Sequence, residues 1–246
     1  MTTGKQVNEP AVSFLVPVMD ELASLTITVN LIVDLIADEL TEIIIILSPK
    51  SQPKSVALAK KLVRECAGKA SIYWQDLPGI GGALAGGIER ASGRYIMLMA
   101  SDLETDPRLI PSFISKMREG ESDIVCGSRW LKGGGFTKYG RFKQILNWLF
   151  QKLMNLLFGS KLTDYTYAYR LYRREVLEGI IWEEKGHPFL LESLLKPLMR
   201  GARTVEVPCQ WQPRSEGVSQ NSWRQMLMYL SLAARLKLRS LRRNGE

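Results

Sequence analysis

The sequence predicts an α/β protein whose mostly parallel sheet is flanked by helices. First, short apolar runs alternate with stretches of helical periodicity between residues 12 and 128. Second, one run, TEIIIIL at 41–47, is continuously apolar and β-branched, which is typical of a strand buried on both faces. Third, a length of 246 residues suffices for one large α/β domain with an appended helical segment. Strands that alternate with helices indicate βαβ units and a mostly parallel sheet.

The elements follow in a regular order along the first half of the chain. Strands are predicted at 12–18, 41–47, 71–75, 94–100 and 122–128, and helices at 21–40, 56–67, 81–91 and 107–118. The pattern then changes to a glycine-rich loop, KGGGFTKYG, an amphipathic segment at 141–159, a helix at 189–200 and a strand at 204–211. We predict one domain over 1–220 and a basic amphipathic C-terminal helix over 221–246.

Composition restricts the partners and the compartment. The chain has 33 basic and 25 acidic residues, and its net charge of +8 favours phosphates, nucleic acid or an anionic membrane surface. The three cysteines form no CxxC pair, which argues against a disulfide framework or a zinc site and fits a reducing compartment. The only histidine, His187, lies between Gly186 and Pro188, so a structural loop position is favoured.

Neither a signal peptide nor a membrane span is evident. The N-terminus, MTTGKQVNEP, has no apolar segment of the signal-peptide kind. No uninterrupted apolar run reaches the ~18 residues needed to span a bilayer. We therefore expect a cytoplasmic protein that can touch a membrane surface.

Two carboxylates follow the fourth predicted strand. In MASDLETDP at 99–107, Asp102 and Glu104 are two positions apart, and on an extended backbone they would point to the same side. They could bind one hard cation that also contacts phosphate oxygens. Alternatively, they could supply negative charge near the start of the helix after Pro107, where Asp106 is the expected cap.

A glycine-rich stretch, GIGGALAGG at 79–87, invites a dinucleotide-binding hypothesis. The dinucleotide fingerprint requires G-x-G-x-x-G in the first strand-to-helix turn. Here the glycines are wrongly spaced and follow the third predicted strand, not the first. We favour small residues that let a helix pack closely on the sheet, and keep a nicotinamide oxidoreductase as a minor alternative.

Five motifs in order resemble the family-2 glycosyltransferases with the GT-A fold, over about residues 11 to 220. The resemblance is to the branch that includes dolichyl-phosphate mannosyltransferase and its bacterial polyprenyl-phosphate relatives. The motifs are FLVPVMDEL, GGALAGGIERASGRYIMLMASDL, GSRW, DYTYAYRLYRREVL and VEVPCQWQPRSEGVSQ. The resemblance implies an inverting transferase that moves a sugar from a nucleotide sugar to an acceptor, with a polyprenyl phosphate as the expected acceptor.

The resemblance also implies roles for individual residues. Donor-binding roles fall on Pro17, Met19, Glu21, Asp102, Arg129, Arg214, Ser219 and Gln220. A Mg²⁺ or Mn²⁺ ion would lie on Asp102 and Glu104, with Arg129 and Arg214 as guanidinium donors to the diphosphate. Glu21 could instead simply begin a helix.

Asp164 and Glu192 are the candidate catalytic carboxylates. A lipid phosphate is already ionised and needs no general base, whereas a hydroxyl acceptor would need one. Asp164 could instead orient its loop, and Glu192 could be an ordinary carboxylate on a helix face. Both alternatives remain open at this point.

Three departures from the family pattern favour a rival hypothesis. LSPKS stands where an acidic pair usually holds the nucleobase, Ala100 replaces the first acid of the metal motif, and Gln220 replaces a lysine. The rival is a non-catalytic nucleotide-sugar-binding or scaffold protein with a degenerate transferase fold.

Two amphipathic segments suggest contact with a membrane surface. Over 223–243, Trp223, Leu227, Leu230, Ala234, Leu238 and Leu241 share one helical face, with Arg224, Arg235, Arg239 and Arg242 opposite. Over 141–158, a narrow polar stripe leaves a wide apolar face. Both helices could instead pack on the domain or on a second copy in a homodimer. We expect no nucleic acid partner, because the basic residues concentrate at the C-terminus without a binding module.

Overall fold

The computed structural model describes residues 11–214 and 223–243. The strands in these residues are β1 Val12–Val18, β2 Leu40–Leu47, β3 Ala70–Trp74, β4 Tyr95–Leu98, β5 Ile124–Ser128, β6 Gly135–Phe136, β7 Arg170–Arg173, β8 Thr204–Pro208 and β9 Gln210–Trp211. The helices are α1 Ala23–Ile36, α2 Pro53–Glu65, α3 Gly79–Arg90, α4 Ile110–Arg118, α5 Arg141–Phe158, α6 Phe189–Met199 and α7 Trp223–Arg243, with short 3₁₀ turns at Pro107–Leu109 and Arg174–Val176. The predicted domain boundary near residue 220 lies outside the described residues and stays a prediction.

Seven strands form the main sheet, in the order β3-β2-β1-β4-β7-β5-β8. Strands β1 to β4 are parallel to one another, and β8 is parallel to β5. The antiparallel strand β7 lies between β4 and β5. The predicted fold class, a mostly parallel sheet flanked by helices, is confirmed.

Strand β7 is absent from the sequence prediction because RLYR contains two arginines. Arg170 is fully buried, and its guanidinium donates to backbone carbonyls of Leu190 and, at 2.7 Å, of Tyr165. Because a buried charged group is costly unless it is hydrogen-bonded, these carbonyls are what allow the guanidinium inside the sheet layer, although Nε of Arg170 has no hydrogen-bond partner among the described residues.

The glycine-rich stretch packs helix α3 against the sheet and against a loop. A Cβ on Gly86 would lie 2.1 Å from the hydroxyl of Tyr73 on β3, and one on Gly87 would lie 2.8 Å from Cδ1 of Ile46 on β2. At the start of the helix, the N–H groups of Gly81 and Gly82 donate to the carbonyl of Lys185, at 2.8 and 3.2 Å. These contacts confirm the close-packing interpretation, and the chain itself binds the helix start where a dinucleotide would have to lie.

Helix α5 has its polar stripe turned inward and its apolar side turned outward. The amide of Gln151 is buried and accepts from the N–H of Tyr165 at 2.8 Å, and Asn155 donates to the carbonyl of Leu162 at 2.8 Å. Phe150 and Met154 from the predicted apolar face are buried. The apolar side chains that remain exposed are Phe142, Ile145, Trp148, Leu149, Leu153 and Leu156. The wide apolar face is therefore divided between the core and the surface.

Helix α7 packs on the domain through one side only. Leu232, Ala233 and Leu236 are buried in the core formed with α5 and α6. The predicted apolar face lies mainly outward, because Leu227, Leu238 and Leu241 are more than half exposed.

The basic side of α7 departs from the prediction. Arg239 pairs with Glu183 at 2.6 Å, and Arg235 pairs with Glu184. Two of the four arginines expected to face an anionic surface therefore contact acids of the protein itself.

Across the described residues, no helix is both long enough and apolar enough to cross a bilayer.

Candidate functional site

The sheet order places the candidate site at the carboxyl ends of β1 and β4. From β1 the chain moves outward to β2 and β3 and then returns to the other side of β1 with β4. Ligands of open α/β sheets bind in the crevice at such a change of direction. The loops at 19–22 and 99–106 follow β1 and β4 at this edge, and the loop at 48–52 follows the adjacent β2.

The loop after β4 brings Asp102 and Glu104, here called the acid pair, onto one guanidinium. Nη2 of Arg214 lies 3.2 Å from Oδ2 of Asp102, and its Nε lies 3.3 Å from Oε1 of Glu104. The indole Nε1 of Trp211 donates to Oε2 of Glu104 at 3.1 Å. The structure therefore brings these two acids and Arg214 together, and their roles in binding a donor or a metal stay predictions.

The cause of the convergence differs from the predicted one. Strand β4 ends at Leu98, so the acid pair lies on a turn and not on extended backbone. Leu103 between the two acids has a φ of 59°, in the left-handed region that side chains other than glycine rarely adopt. Oδ1 of Asp102 accepts from the N–H of Glu104 at 3.0 Å and closes this turn. Asp106 caps the following 3₁₀ turn through the N–H of Arg108, as expected.

Burial and neighbouring negative charge change the acidity of Asp102. Its side chain is almost fully buried, and burial, followed by the charge of Glu104, raises its pKa to about 6. The nearby charge of Glu21 acts in the same direction, while Arg214 opposes it. The site therefore concentrates negative charge where a cation would bind.

The acid pair fits a divalent cation with sparse protein ligation. The guanidinium of Arg214 lies where a cation would bind, and it shows that one positive group can contact both carboxylates at once. Within the described residues, no cluster of three or more His, Cys, Asp or Glu side chains could hold a metal ion. Magnesium accepts one or two carboxylates supplemented by water and substrate phosphates, so two acids are compatible with it.

The loop after β1 places Glu21 beside the acid pair. Its carboxylate is buried and accepts from the N–H groups of Met19, at 2.7 Å, and Asp20, at 3.2 Å. Met19 itself is exposed at the tip of the loop. The carbonyl of Pro17 accepts from the hydroxyl of Ser101, at 3.3 Å, which joins the loops after β1 and β4. Glu21 precedes the first residue of α1, so it organises this loop and does not itself begin the helix.

The LSPKS segment is bound to β1 by serine side chains. The hydroxyl of Ser51 donates to the carbonyl of Val18 at 2.6 Å and accepts from the N–H of Ser48 at 2.9 Å. The segment thus keeps its place beside the crevice without the acidic pair.

Ser219 and Gln220, both predicted to bind the donor, lie outside the described residues.

Arg129 and Asp164 form a buried ion pair. Nε of Arg129 lies 2.7 Å from Oδ2 of Asp164, and its Nη2 lies 2.9 Å from Oδ1. Burial alone would raise the pKa of Asp164, but the charge and N–H groups of Arg129 hold that pKa below its usual value. A carboxylate with a lowered pKa is a weak base, so the orienting alternative for Asp164 is favoured over proton transfer. The phosphate role of Arg129 stays a prediction.

Aromatic rings connect this ion pair to the acid pair. The guanidinium of Arg129 lies 4.9 Å from the ring centroid of Phe136. Phe136 packs on Tyr139 at 4.9 Å, and Tyr139 packs on Trp211 at 5.3 Å. Since Trp211 donates to Glu104, the predicted residues of both groups belong to one continuous cluster.

Glu192 contacts a loop and a lysine, and the structure favours the helix-face alternative for it. Its carboxylate is fully buried and accepts from the N–H groups of Glu183 and Glu184, both at 3.0 Å. Lys196, one helical turn further on, pairs with it at 2.6 Å. The carboxylate oxygens bind the 183–184 backbone, which supports the structural alternative, and the catalytic role of Glu192 stays a prediction.

The contact of Trp211 with Glu104 and the proximity of His187 to Arg214 were not predicted from the sequence. Trp211 carried no signal, because only its position on the short strand β9 brings it to Glu104. The pKa of His187 is lowered by burial and by the charge of Arg214, which places its loop close to the acid pair. The lone histidine between glycine and proline gave no indication of that proximity.

The sheet order and the acid pair at the carboxyl ends define a nucleotide-sugar transferase fold. The model of the family described as Glycosyl transferase family 2 matches residues 13–181, so the chain belongs to this family.

Individual relatives of the chain are also named as glycosyltransferases. The undecaprenyl-phosphate mannosyltransferase of Micrococcus luteus is 31% identical over 151 residues, which are 58% of this chain and 61% of the relative. Glycosyltransferase AglD of Haloferax volcanii is 26% identical over 210 residues, which are 83% of this chain and 34% of the relative. The chain thus spans less than two thirds of the length of both relatives.

A solved structure has the same fold. Glucosyl-3-phosphoglycerate synthase from Mycobacterium tuberculosis, in complex with Mn²⁺, uridine diphosphate and glucosyl-3-phosphoglycerate, superposes with a TM-score of 0.65 at 16% identity. The superposition covers 94% of this chain and 78% of the synthase. At this identity the likeness establishes the fold alone.

Proposed function

We propose that the protein is an inverting glycosyltransferase that moves a sugar from a nucleotide sugar to a polyprenyl phosphate, in the synthesis of cell-envelope glycans or glycolipids. The observation that carries the proposal is the convergence of Asp102, Glu104 and Arg214 at the crevice between β1 and β4. Membership of the family supports the reaction. A relative named undecaprenyl-phosphate mannosyltransferase supports the acceptor class.

Different residues of the crevice would bind different parts of the donor site. A Mg²⁺ or Mn²⁺ ion on Asp102 and Glu104 would supply positive charge to the diphosphate of the leaving nucleotide. Arg214 presents a planar guanidinium, which binds phosphate oxygens with two parallel N–H groups and stays charged at any working pH. Glu21 holds the loop after β1 in place through two backbone N–H groups, beside the same crevice.

The acceptor chemistry agrees with the absence of an evident base among the predicted carboxylates. Glu192 binds the 183–184 loop, and Asp164 is held ionised by Arg129. A phosphate acceptor is ionised at neutral pH and attacks without losing a proton, so neither residue has to act as a base. Both then have positioning roles.

The exposed apolar side chains of α5 and α7 support a peripheral position on the cytoplasmic face of a membrane. Phe142, Ile145, Leu149, Leu153 and Leu156 follow one another at spacings of 3, 4, 4 and 3 residues, which form one helical stripe, and Leu156 is 82% exposed. Soluble monomers rarely expose a continuous apolar surface of this kind. A polyprenyl chain stays in the bilayer, so a transferase that uses it must reach the interface. The three free thiols fit the reducing cytoplasmic side.

A donor panel tests the function. Purified protein is incubated with Mg²⁺ or Mn²⁺, undecaprenyl phosphate in detergent and a panel of nucleotide sugars, and nucleotide release is measured. We expect release with at least one donor that depends on the acceptor, together with a sugar-linked lipid detected by mass spectrometry. Absence of release with every donor contradicts the proposal.

One observation favours a second function, that of a non-catalytic nucleotide-sugar-binding protein. Ala100 stands in place of the first acid of the metal motif, and Arg214 covers both remaining acids. Saturable, metal-dependent nucleotide binding without sugar transfer in the same panel would support this alternative.

A further inference from the structure

Each carboxylate oxygen of the acid pair has a partner from the chain itself. On Asp102, Oδ1 accepts from the N–H of Glu104, and Oδ2 faces Arg214. On Glu104, Oε1 faces Arg214, and Oε2 accepts from Trp211. A divalent cation that takes the two oxygens facing Arg214 would meet the guanidinium there, so two positive groups compete for the same carboxylates.

Arg214 is brought to the acid pair by backbone contacts of the residues just before it. The N–H of Gln212 donates to the carbonyl of Glu104 at 3.1 Å, and the side-chain amide of Gln212 donates to the carbonyl of Leu103 at 3.0 Å. Trp211 also forms an isolated bridge with Thr105. These contacts hold the backbone beside the acid pair, while the guanidinium of Arg214 reaches the carboxylates through its flexible side chain.

The contact of Arg214 has the geometry of an exchangeable ion pair. Its distances to the two acids are 3.2 and 3.3 Å, and its side chain is 26% exposed. The pair of Arg129 and Asp164 provides an internal comparison, because its distances are 2.7 and 2.9 Å and its side chains are only 8% and 0% exposed. Charge-assisted bonds at full strength lie near 2.7–2.9 Å, so the two contacts of Arg214 with the acid pair are longer than this, and the side chain is closer to solvent than that of Arg129.

We propose that Arg214 is an internal cation that competes with the divalent cation for the acid pair, so that the divalent cation and the nucleotide diphosphate bind cooperatively. The proposal deepens the proposed function and rests on it for the identity of the two ligands. Ala100 contributes to the competition: with two acids instead of three, a single guanidinium neutralises half of the negative charge of the pair.

The competition couples the two ligands in both directions. A divalent cation alone must displace Arg214, which lowers its affinity. A diphosphate alone meets a guanidinium already engaged with carboxylates. When both bind, the cation contacts the acid pair and the released guanidinium contacts the diphosphate. Each ligand therefore stabilises the arrangement of Arg214 that the other ligand requires. Thermodynamic linkage requires that each raises the affinity of the other by the same factor.

Manganese binding tests the proposal without any need for turnover. Free Mn²⁺ is titrated by electron paramagnetic resonance in the full-length protein, with and without UDP or GDP as the nucleotide probe. In the wild type we expect a nucleotide to tighten Mn²⁺ binding about tenfold, which is within the usual range of coupling between two sites. In Arg214→Gln, Mn²⁺ alone should bind about tenfold tighter than in the wild type, and the nucleotide should tighten Mn²⁺ binding less than in the wild type, because only the direct contact between cation and phosphate is left.

Two variants control the experiment. Arg203→Gln removes an exposed arginine that pairs with Asp123, away from the crevice, and should leave Mn²⁺ binding as in the wild type. Arg214→Lys keeps the positive charge and should keep the Mn²⁺ affinity near that of the wild type.

Three results would overturn the proposal. The first is Mn²⁺ binding in Arg214→Gln that is equal to or weaker than in the wild type, and the second is no Mn²⁺ binding in any of the proteins. The third is Mn²⁺ binding, without nucleotide, that is as much tighter in Arg203→Gln as in Arg214→Gln. The competition and the proposed function can fail separately. Tighter Mn²⁺ binding in Arg214→Gln without sugar transfer by the wild type would support the competition and contradict the function. Sugar transfer with unchanged Mn²⁺ affinity would do the reverse.

Discussion

Arg129 and Asp164 face each other in the protein interior, with Nε and Nη2 of the arginine donating to the two carboxylate oxygens at 2.7 and 2.9 Å. Thr166 extends the pair, because its hydroxyl accepts from Nη2 of Arg129 at 2.8 Å. Asn147 and Gln151 of α5 both donate to the same hydroxyl, at 3.3 and 3.1 Å. The ion pair therefore joins the GSR segment to the helix that carries the exposed apolar stripe.

Breaking this pair should destabilise the protein strongly. Arg129→Ala leaves the carboxylate of Asp164 buried without its partner, and we expect a loss of about 3–5 kcal/mol in the free energy of unfolding. Urea denaturation followed by circular dichroism measures it. Arg203→Ala, which breaks an exposed pair with Asp123, is the matched control and should lower the free energy of unfolding far less, because solvent screens an exposed ion pair. Similar losses in both variants would contradict the buried character of the pair.

Metal binding should depend on pH through Asp102. Its pKa is raised to about 6, so the carboxylate is ionised above that pH and takes up a proton as the pH falls through it. A cation requires the ionised form, so Mn²⁺ affinity should be nearly constant above pH 7 and should fall about tenfold per pH unit below pH 6. Titrations between pH 5 and 8 measure this dependence. A constant affinity down to pH 5 would show that Asp102 is not a ligand.

Glu192 should behave as a structural residue. In Glu192→Gln the amide group cannot accept from both backbone N–H groups of the 183–184 loop, and Lys196 loses one of its two charged partners and keeps Glu183. We expect the free energy of unfolding to fall by about 1–3 kcal/mol and the amides of residues 183 and 184 to exchange hydrogen faster. Hydrogen exchange with mass spectrometry measures the second effect. Abolished sugar transfer in a variant of unchanged stability would instead support the original catalytic hypothesis.

The apolar stripe of α5 should carry membrane binding. Leu149→Glu together with Leu153→Glu removes two exposed leucines, each worth about 1.5–3 kcal/mol when buried in an apolar phase, so binding to vesicles should fall at least tenfold. Sedimentation with phosphatidylglycerol and phosphatidylcholine vesicles measures it. Lys61→Glu on α2 makes the same charge change at an exposed position and should have little effect.

The same pair of variants distinguishes a membrane from a second copy of the chain. If the stripe covers a homodimer interface, the double variant should convert a dimer into a monomer in light scattering and leave vesicle binding unchanged. That result would contradict membrane docking through α5.

Much of the fold was predictable because its first half uses strong local signals. The continuous β-branched run of β2 and the helical periodicity of α2 identify elements whose neighbours bury them, and both bounds agree closely with the structure. Strand β7 was not predictable, since its arginines are tolerated only because distant carbonyls accept from Arg170. That compensation depends on tertiary contacts, which a local pattern does not contain.

The candidate site was predictable in its members and only partly in its geometry. Asp102, Glu104 and Arg214 were identified by motif, and the structure brings them together. The turn at Leu103 that aims the two acids was not foreseen, because a left-handed leucine has no sequence signature. The orientation of α5 was also hidden, since a polar stripe is ordinarily assumed to face water and here it binds Thr166 and the 162–165 backbone.

Sugar transfer by Asp102→Asn tests the central claim most directly. The substitution keeps the size of the side chain and an oxygen that can accept from Glu104, but removes the charge that would hold a cation. With the donor found in the panel and undecaprenyl phosphate, we expect the rate of transfer to fall at least a hundredfold, an order-of-magnitude expectation for loss of charge stabilisation of a leaving group. Wild-type rates in Asp102→Asn would contradict a sugar-transfer site built on the acid pair.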